Sequence, residues 1–94
     1  MKSIAQGTQW EKLVDDFLNK MFDFENAVKA YKQYQGSSKD KAEELLREAK
    51  SKNAALLMCV FEFEWQARHN PNDKIISQLR AMAINAYNMT IFKL

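Results

Sequence analysis

The sequence predicts an all-α fold: one domain over residues 1–94, built as a three-helix antiparallel bundle with coiled-coil-like packing. The chain contains only two glycines and one proline, too few for the frequent turns of a small all-β domain. Its apolar residues recur at alternating spacings of three and four through three long segments. Only two short clusters of turn-forming residues separate these segments. Helices are therefore expected near 8–34, 38–68 and 71–92.

The first helix is expected to begin at Thr8, because Thr8 and Glu11 have the spacing of a capping box. Gly36 suits the left-handed conformation that commonly follows a helix. One apolar stripe runs between these two signals without a break. Its members are Trp10, Val14, Phe17, Met21, Phe24, Val28 and Tyr31.

The second helix has serines available as its N-cap, and Ser37 followed by Asp40 resembles a capping box. Asn53 is the one polar member of its stripe. A lone asparagine at such a position commonly sets register and partner number at a cost in stability, so Asn53→Leu is expected to raise the melting temperature. The stripe comprises Ala42, Leu46, Ala49, Asn53, Leu56, Val60, Phe63 and Ala67.

Residues 59–65 also alternate apolar and polar side chains, as a strand does. A strand needs a partner, and the only candidate is the segment 88–94. The helical repeat passes through both segments without a preceding turn signal, so a helix is favoured over 58–65.

The third helix is expected to begin with Asn70 as its N-cap and Pro71 at its first position, where the missing amide hydrogen costs nothing. Asp73 would then lie in the first turn, where the helix dipole favours a negative charge. Two neighbouring apolar stripes follow. One comprises Ile75, Leu79, Met82, Ala86 and Met89, and the other comprises Ile76, Ala83, Tyr87 and Ile91.

Composition argues against several classes of protein. Cys59 is the only cysteine, so no internal disulfide can form. The longest apolar run, 54–61, is far shorter than the roughly 20 residues of a membrane span. Residues 1–7 lack the apolar stretch of a signal peptide. We therefore expect a cytoplasmic protein with no membrane contact.

No group of residues points to catalysis. A catalytic Cys59 would need a base, but His69, the only histidine, lies about 15 Å further along the same helix. Glu62 and Glu64 lie in an apolar segment, where burial could raise their pKa values. Ion pairing near Arg68 explains them more simply. Clustered zinc ligands and glycine-rich phosphate loops are absent from the sequence. We expect no enzymatic activity, no cofactor and no metal.

A basic cluster lies within residues 29–52, and four acidic residues interleave with it. Glu43 and Glu44 are spaced to pair with Arg47 on a helix, and Glu48 is likewise spaced to pair with Lys52. A solvated, salt-bridged face is therefore favoured over a nucleic-acid site. The members of the basic cluster are Lys29, Lys32, Lys39, Lys41, Arg47, Lys50 and Lys52.

The second helix carries more apolar side chains than one thin bundle can cover. Eight of the ten residues from Leu56 to Trp65 are apolar, and a helix that is apolar on nearly all sides is normally buried on nearly all sides. Aromatic residues and methionine are enriched at the centres of protein interfaces. The predicted partner-binding residues are Phe61, Trp65, Met58 and Phe22.

The sequence therefore predicts a small non-catalytic protein–protein interaction module that self-associates as a dimer or higher oligomer. It would act as an assembly subunit, or as a regulator or inhibitor of a larger, unidentified protein, as small chains of phage and accessory genes do. The alternative function is weak nucleic-acid binding through the basic cluster.

Overall fold

The computed structural model describes residues 1–94, of which 83% are helical, and it contains no strand. The all-α prediction is therefore confirmed. Residues 58–65 lie inside a helix, so the choice of helix over strand there is also confirmed. The elements are α1 (Lys2–Ala5), α2 (Glu11–Gln33), α3 (Lys39–His69), α4 (Lys74–Met89) and a 3₁₀ turn (Thr90–Lys93).

The chain has four α-helices where the sequence predicted three, because a short helix precedes the first long one. Ala5 of α1 is fully buried and belongs to the main core. Gly7 follows with a φ of 77°, a left-handed conformation that glycine adopts without strain. The Thr8 hydroxyl donates a hydrogen bond to the Ala5 carbonyl at 2.6 Å. The chain therefore reverses direction at Gly7 and Thr8, and α1 packs against the main core.

Helix α2 begins at Glu11 and not at Thr8. The Thr8 hydroxyl accepts a hydrogen bond from the Trp10 amide at 3.1 Å, and the Glu11 carboxylate accepts one from the Gly7 amide at 3.2 Å. The two side chains of the predicted capping box do satisfy backbone donors, but different donors from those of a standard box.

The turn between α2 and α3 differs from the prediction at both of its caps. Tyr34 ends α2 in an extended conformation, and Gly36 is not left-handed. Gly36 instead makes room for the Tyr34 ring, which lies where a β-carbon at residue 36 would be. Ser38, not Ser37, caps α3, because its hydroxyl accepts a hydrogen bond from the Lys41 amide at 3.2 Å.

The turn between α3 and α4 differs from the prediction, because α4 begins at Lys74 and Pro71 therefore lies before the helix and not at its first position. Asn70 ends α3 instead of starting α4, and its amide donates to the Gln66 carbonyl at 2.8 Å. Asp73 is the N-cap of α4 and accepts from the amides of Ile75 and Ile76. The Trp10 indole nitrogen donates to the same carboxylate at 2.8 Å. One side chain therefore joins the beginnings of α2 and α4.

Replacing Asp73 by alanine is expected to lower the melting temperature, because the α4 cap and the partner of the buried Trp10 indole are lost together. Asn72→Ala is the matched control, since the exposed Asn72 makes no side-chain hydrogen bond. Thermal denaturation followed by circular dichroism measures both variants. Equal melting temperatures for the two variants would contradict the joining role of Asp73.

Comparison of wild type with Asp73→Ala also predicts how the stability contributed by Asp73 depends on pH. The hydrogen bond from Trp10 is the main cause that holds the pKa of Asp73 below its usual 3.8. A carboxyl with a lowered pKa stabilises the fold above the unfolded value, and this contribution is lost as pH falls through the folded value. The gap in melting temperature between wild type and Asp73→Ala should therefore narrow below about pH 4. If the difference in melting temperature stays the same at every pH, the charge of the Asp73 carboxylate does not contribute to stability.

The predicted stripes form the core of an antiparallel arrangement. Phe17 of α2 meets Phe63 of α3 edge to face, with ring centroids 5.6 Å apart and an interplanar angle of 86°. Helix α4 adds its own buried residues to this cluster. A smaller cluster of Phe24, Val28 and Ala49 lies further along the α2–α3 pair. The fully buried side chains of the main cluster include Val14, Phe17, Leu56, Phe63, Ile76 and Leu79.

Asn53 lies inside the chain's own bundle and makes two hydrogen bonds there. Its amide nitrogen donates to the Thr90 hydroxyl at 2.8 Å, and its carbonyl oxygen accepts from the Tyr87 hydroxyl at 3.2 Å. Thr90 is the only fully buried polar residue. Asn53 thus fixes the end of α4 against α3 and is not free to set a partner's register.

This geometry reverses the expected effect of Asn53→Leu. The substitution should lower the free energy of unfolding by about 1–2 kcal/mol, because it removes the partner of Tyr87 and a donor to a buried hydroxyl. Asn19→Leu is the control, since Asn19 is exposed on α2 without a side-chain hydrogen bond. Urea denaturation measures both variants, and a gain in stability for Asn53→Leu would contradict the network.

Helix α4 is shorter than α2 and α3. The 3₁₀ turn touches α3 where Thr90 meets Asn53, and it touches α2 where Lys93 pairs with Glu25 at 2.8 Å. The long helices pack mainly as the pairs α2–α3 and α3–α4. The chain is accordingly elongated, measuring 54 × 21 × 18 Å.

Candidate protein-binding surface

Three of the four predicted partner-binding residues lie together on the outer side of α3. Met58, Phe61 and Trp65 are 66%, 50% and 51% exposed. Their spacings of three and four place them on one face of the helix. They line a shallow depression of about 410 Å³ together with one charged residue, Glu62. We call Met58, Phe61 and Trp65 the α3 outer patch.

The outer patch exists because α3 is apolar around most of its circumference, while the bundle covers only one side of it. Leu56, Val60 and Phe63 face inward and are at most 5% exposed. The patch residues alternate with them along the chain and point away from α2 and α4. The apolar belt from Leu56 to Trp65 is thus divided into a buried half and an exposed half.

Trp65 is held in place by the histidine one turn later. The Trp65 and His69 rings stack with centroids 3.9 Å apart and planes at 24°. Nδ1 of His69 lies 2.9 Å from the Trp65 carbonyl oxygen, which can only accept, so Nδ1 carries the hydrogen. A preorganised aromatic side chain loses less conformational entropy when a partner covers it.

Phe22 is exposed but does not belong to the outer patch. It is 64% exposed on α2 and does not line the depression on α3. Its neighbours one turn away are Leu18, which is 37% exposed, and Glu25, which contacts the 3₁₀ turn. The structure therefore separates Phe22 from the three residues with which the sequence grouped it.

Sequence reasoning missed the exposed apolar residues at the end of α4. Met89 and Ile91 were assigned to buried stripes, but they are 62% and 66% exposed. The α-helix ends at Met89 and a 3₁₀ turn follows, so for Ile91 the spacing of positions on one face changes from 3.6 to about three residues. Thr90 therefore occupies the buried position.

Cys59 is buried on the α2 side of α3, where its thiol is a poor nucleophile. Its thiol lies 3.6 Å from the Asp16 carboxylate, which also pairs with Lys20 at 2.6 Å. Burial, followed by the nearby negative charge of Asp16, raises the pKa of Cys59 from 9.0 to about 11. The hydrogen bond to Asp16 also raises the pKa of Lys20. The thiolate needed for nucleophilic attack is therefore scarce at neutral pH.

The two glutamates of the apolar segment are engaged in surface contacts. Glu64 pairs with Arg80 of α4 at 3.6 Å and not with the predicted Arg68. The Glu62 carboxylate accepts a hydrogen bond from Gln66 at 2.9 Å. Nowhere in the chain do three or more His, Cys, Asp or Glu side chains come together in an arrangement that could bind a metal ion.

Two of the seven members of the basic cluster are paired with carboxylates within α3. Lys41 pairs with Glu44 at 3.8 Å, and Lys52 pairs with Glu48 at 3.6 Å. The Glu48–Lys52 pair was predicted, but Arg47 has no ion pair. The members without a carboxylate at ion-pair distance are Lys29, Lys32, Lys39, Arg47 and Lys50.

Comparison of the chain with protein-family models, with curated proteins and with solved structures finds no match. No helix has both the length and the apolar character required to cross a lipid bilayer. The function proposed below therefore rests on the geometry of the surface itself.

Proposed function

We propose that this chain is a small non-catalytic protein–protein interaction module that docks through the α3 outer patch. The observation that carries the proposal is the adjacency of Met58, Phe61 and Trp65 on the outer side of α3, each at least half exposed. Isolated exposed apolar residues are ordinary on a protein surface, but three adjacent large ones, one of them tryptophan, are typical of an interface centre.

The composition of the outer patch supports burial against another protein. Aromatic residues and methionine are the types enriched in interface cores, and charged residues are depleted there. The depression has one charged residue, Glu62, which is already hydrogen-bonded to Gln66 within the same helix. A partner would therefore cover the apolar side chains while the Glu62 carboxylate stays in solvent at the edge, because one hydrogen bond from a neutral amide does not compensate a buried charge.

The partner that we propose is a second copy of this chain. Two copies related by a twofold axis offer each other the same patch, so one apolar surface is sufficient to form a closed dimer. Burying the exposed halves of Phe61 and Trp65 would gain roughly 1 kcal/mol for each of these side chains. Self-association would complete the bundle by coiled-coil-like packing of α3 against α3. The chain would serve as an assembly subunit, or as a regulator or inhibitor if a larger protein competes for the patch.

Sedimentation velocity over a range of micromolar concentrations tests this proposal on the unaltered chain. The expected result is a dimer or higher oligomer whose fraction rises with concentration. A monomer throughout the range would exclude self-association. It would leave a different protein as the only partner compatible with the outer patch.

Weak nucleic-acid binding through the basic cluster is the second candidate function. The observation that favours it is the absence of ion pairs at five of the seven basic residues, because such cations remain available for phosphates. Lys39→Glu combined with Lys41→Glu would then weaken DNA binding and flatten its salt dependence in a gel-shift assay. We place this function second because four acidic residues interleave with the cations and two of the seven cations are already paired.

A further inference from the structure

The outer patch belongs to a longer stripe of exposed residues on the outer side of α3. The alternation of three and four residues that joins Met58, Phe61 and Trp65 continues back to Arg47 and forward to Arg68. Every member of this stripe is exposed, so the rest of the chain leaves it open. The stripe extends over about 32 Å of helix. We call it the outer seam, and its members are Arg47, Ser51, Ala54, Met58, Phe61, Trp65 and Arg68.

The spacing of the outer seam fits a second long helix. A strict alternation of three and four residues over three heptads is the seam of a two-helix coiled coil. Helices α2 and α4 do not cover this seam, because they pack on the side of α3 where Leu56 and Phe63 are buried. A second copy of this chain offers a helix of matching length, since its α3 has 31 residues and the same exposed seam.

A parallel pairing of two outer seams is unfavourable, because each seam residue would then face its own copy. Trp65 would face Trp65 while Ala54 faced Ala54, so a helix separation that suits one pair would leave a clash or a cavity at the other. Arg47 and Arg68 have no carboxylate within ion-pair distance in the chain. In a parallel pair each of these arginines would also face a like charge.

An antiparallel pairing matches large side chains with small ones. With the twofold axis beside residues 59 and 60, Trp65 faces Ala54 of the second copy. In the same register Met58 faces Phe61 of the second copy. Every layer of the outer patch then combines side chains whose sizes are compatible with one helix separation.

Other antiparallel registers bury an arginine against the outer patch. A shift by one heptad in one direction places Trp65 opposite Arg47, and a shift in the other direction places Met58 opposite Arg68. Either shift desolvates a guanidinium without a carboxylate partner. In the unshifted register Arg68 faces Ser51 near the end of the seam, where its guanidinium can reach solvent. One register therefore sets all three residues of the outer patch against uncharged side chains.

From these observations we infer that two copies of this chain associate through their outer seams as an antiparallel α3–α3 pair, in which Trp65 of each copy packs on Ala54 of the other. The inference rests on the proposed self-association. It adds the direction of the two helices, their register and the participation of residues 47–54. It also assigns a role to the small side chains of the seam, because Ala54 and Ser51 provide the space that the larger residues of the second copy fill.

Disulfide trapping in the full chain tests the direction and the register. Proteins carrying Ser51→Cys and Arg68→Cys are mixed in equal amounts in a glutathione redox buffer, and peptide mass mapping identifies which cysteines are joined. The mixed disulfide should exceed the disulfide of either protein with itself at least tenfold, because residue 51 faces residue 68 of the second copy and lies about 26 Å from residue 51 of that copy. Asn19→Cys is the matched control, since Asn19 is exposed on α2 and lies outside the seam. Its mixture with Ser51→Cys should give no such excess.

Ala54→Trp tests the contact between Trp65 and Ala54 without adding a thiol. Ala54 is exposed within the chain, so the fold should be retained. Association should weaken at least tenfold, because the new side chain fills the space that Trp65 of the second copy needs. Adding Trp65→Ala restores a large residue opposite a small one and should recover association. Ala30→Trp, at an exposed alanine of α2, is the control and should leave association unchanged. Sedimentation velocity measures all of these proteins.

Three results would overturn the inference. Disulfides of Ser51→Cys and Arg68→Cys each with itself would show a parallel pair, and self-association would still stand. A protein that sediments as a dimer but forms no mixed disulfide would show that the interface has another register or lies elsewhere. A monomer at every concentration would exclude self-association, and the antiparallel pair would be excluded with it.

Discussion

Replacing Phe63 by alanine is expected to lower the free energy of unfolding by about 3–5 kcal/mol. Phe63 is fully buried, and its ring packs edge to face on Phe17, which is 1% exposed. The substitution removes this aromatic contact and leaves a cavity between α2 and α3, where the surrounding helices can relax only in part. Because small domains are stable by about 5–15 kcal/mol, the variant should lose a large share of its stability.

Phe22→Ala is the control for this experiment. It makes the same chemical change in the same protein, but the Phe22 side chain is 64% exposed and lies outside both core clusters. Its effect on the free energy of unfolding should stay below about 1 kcal/mol. Urea denaturation measures both variants. Similar losses for Phe63→Ala and Phe22→Ala would show that the α2–α3 core is not packed as described.

Combining Phe61→Lys with Trp65→Glu is expected to give a folded protein that no longer self-associates. Both side chains are half exposed within the chain, so charged replacements can remain in solvent without disrupting the core. At the centre of an interface the same charges would be desolvated, and their mutual ion pair at the i,i+4 spacing would offset only part of that cost. Interface centres often contain residues that contribute at least about 2 kcal/mol each, so association should weaken by at least about 100-fold.

A second pair of charged substitutions controls for general effects of added charge. Leu18→Glu with Phe22→Lys makes a comparable change on an exposed apolar face of α2, and it should leave association intact. Analytical ultracentrifugation gives the oligomeric state, and circular dichroism gives the helicity. If the Phe61 and Trp65 variant still dimerises, the interface lies elsewhere. If only the Leu18 and Phe22 variant dissociates, the interface is on α2.

The positions of the helix ends depend on adjacent residues, and the sequence predicts them to within three residues. The predicted helices at 8–34, 38–68 and 71–92 correspond to α2, α3 and α4 with ends displaced by one to three residues. The displacements occur at caps, where adjacent residues compete for the same backbone donors, as Ser37 and Ser38 do. The short α1 was missed because four residues are too few to show a helical period.

The candidate surfaces could be predicted only in part. An excess of apolar residues in α3 indicated that part of that helix would lie outside the core, and Met58, Phe61 and Trp65 are indeed exposed. The same reasoning placed Phe22 beside them, although it lies on another helix. Composition alone does not determine which face of α2 packs against which face of α3.

The sequence by itself determined the all-α class, the three long helices and the stripes that meet in the core. These properties follow from the spacing of apolar residues and from the scarcity of turn formers, both of which are local. The tertiary structure alone decided which side of the α3 belt is covered, where α4 ends along α3, and which partners Asn53 and Asp73 find. The hydrogen bond from Trp10 to Asp73 joins residues 63 positions apart in the sequence, and the one from Asn53 to Thr90 joins residues 37 positions apart. Such contacts depend on how the helices pack, and local spacing does not encode that packing.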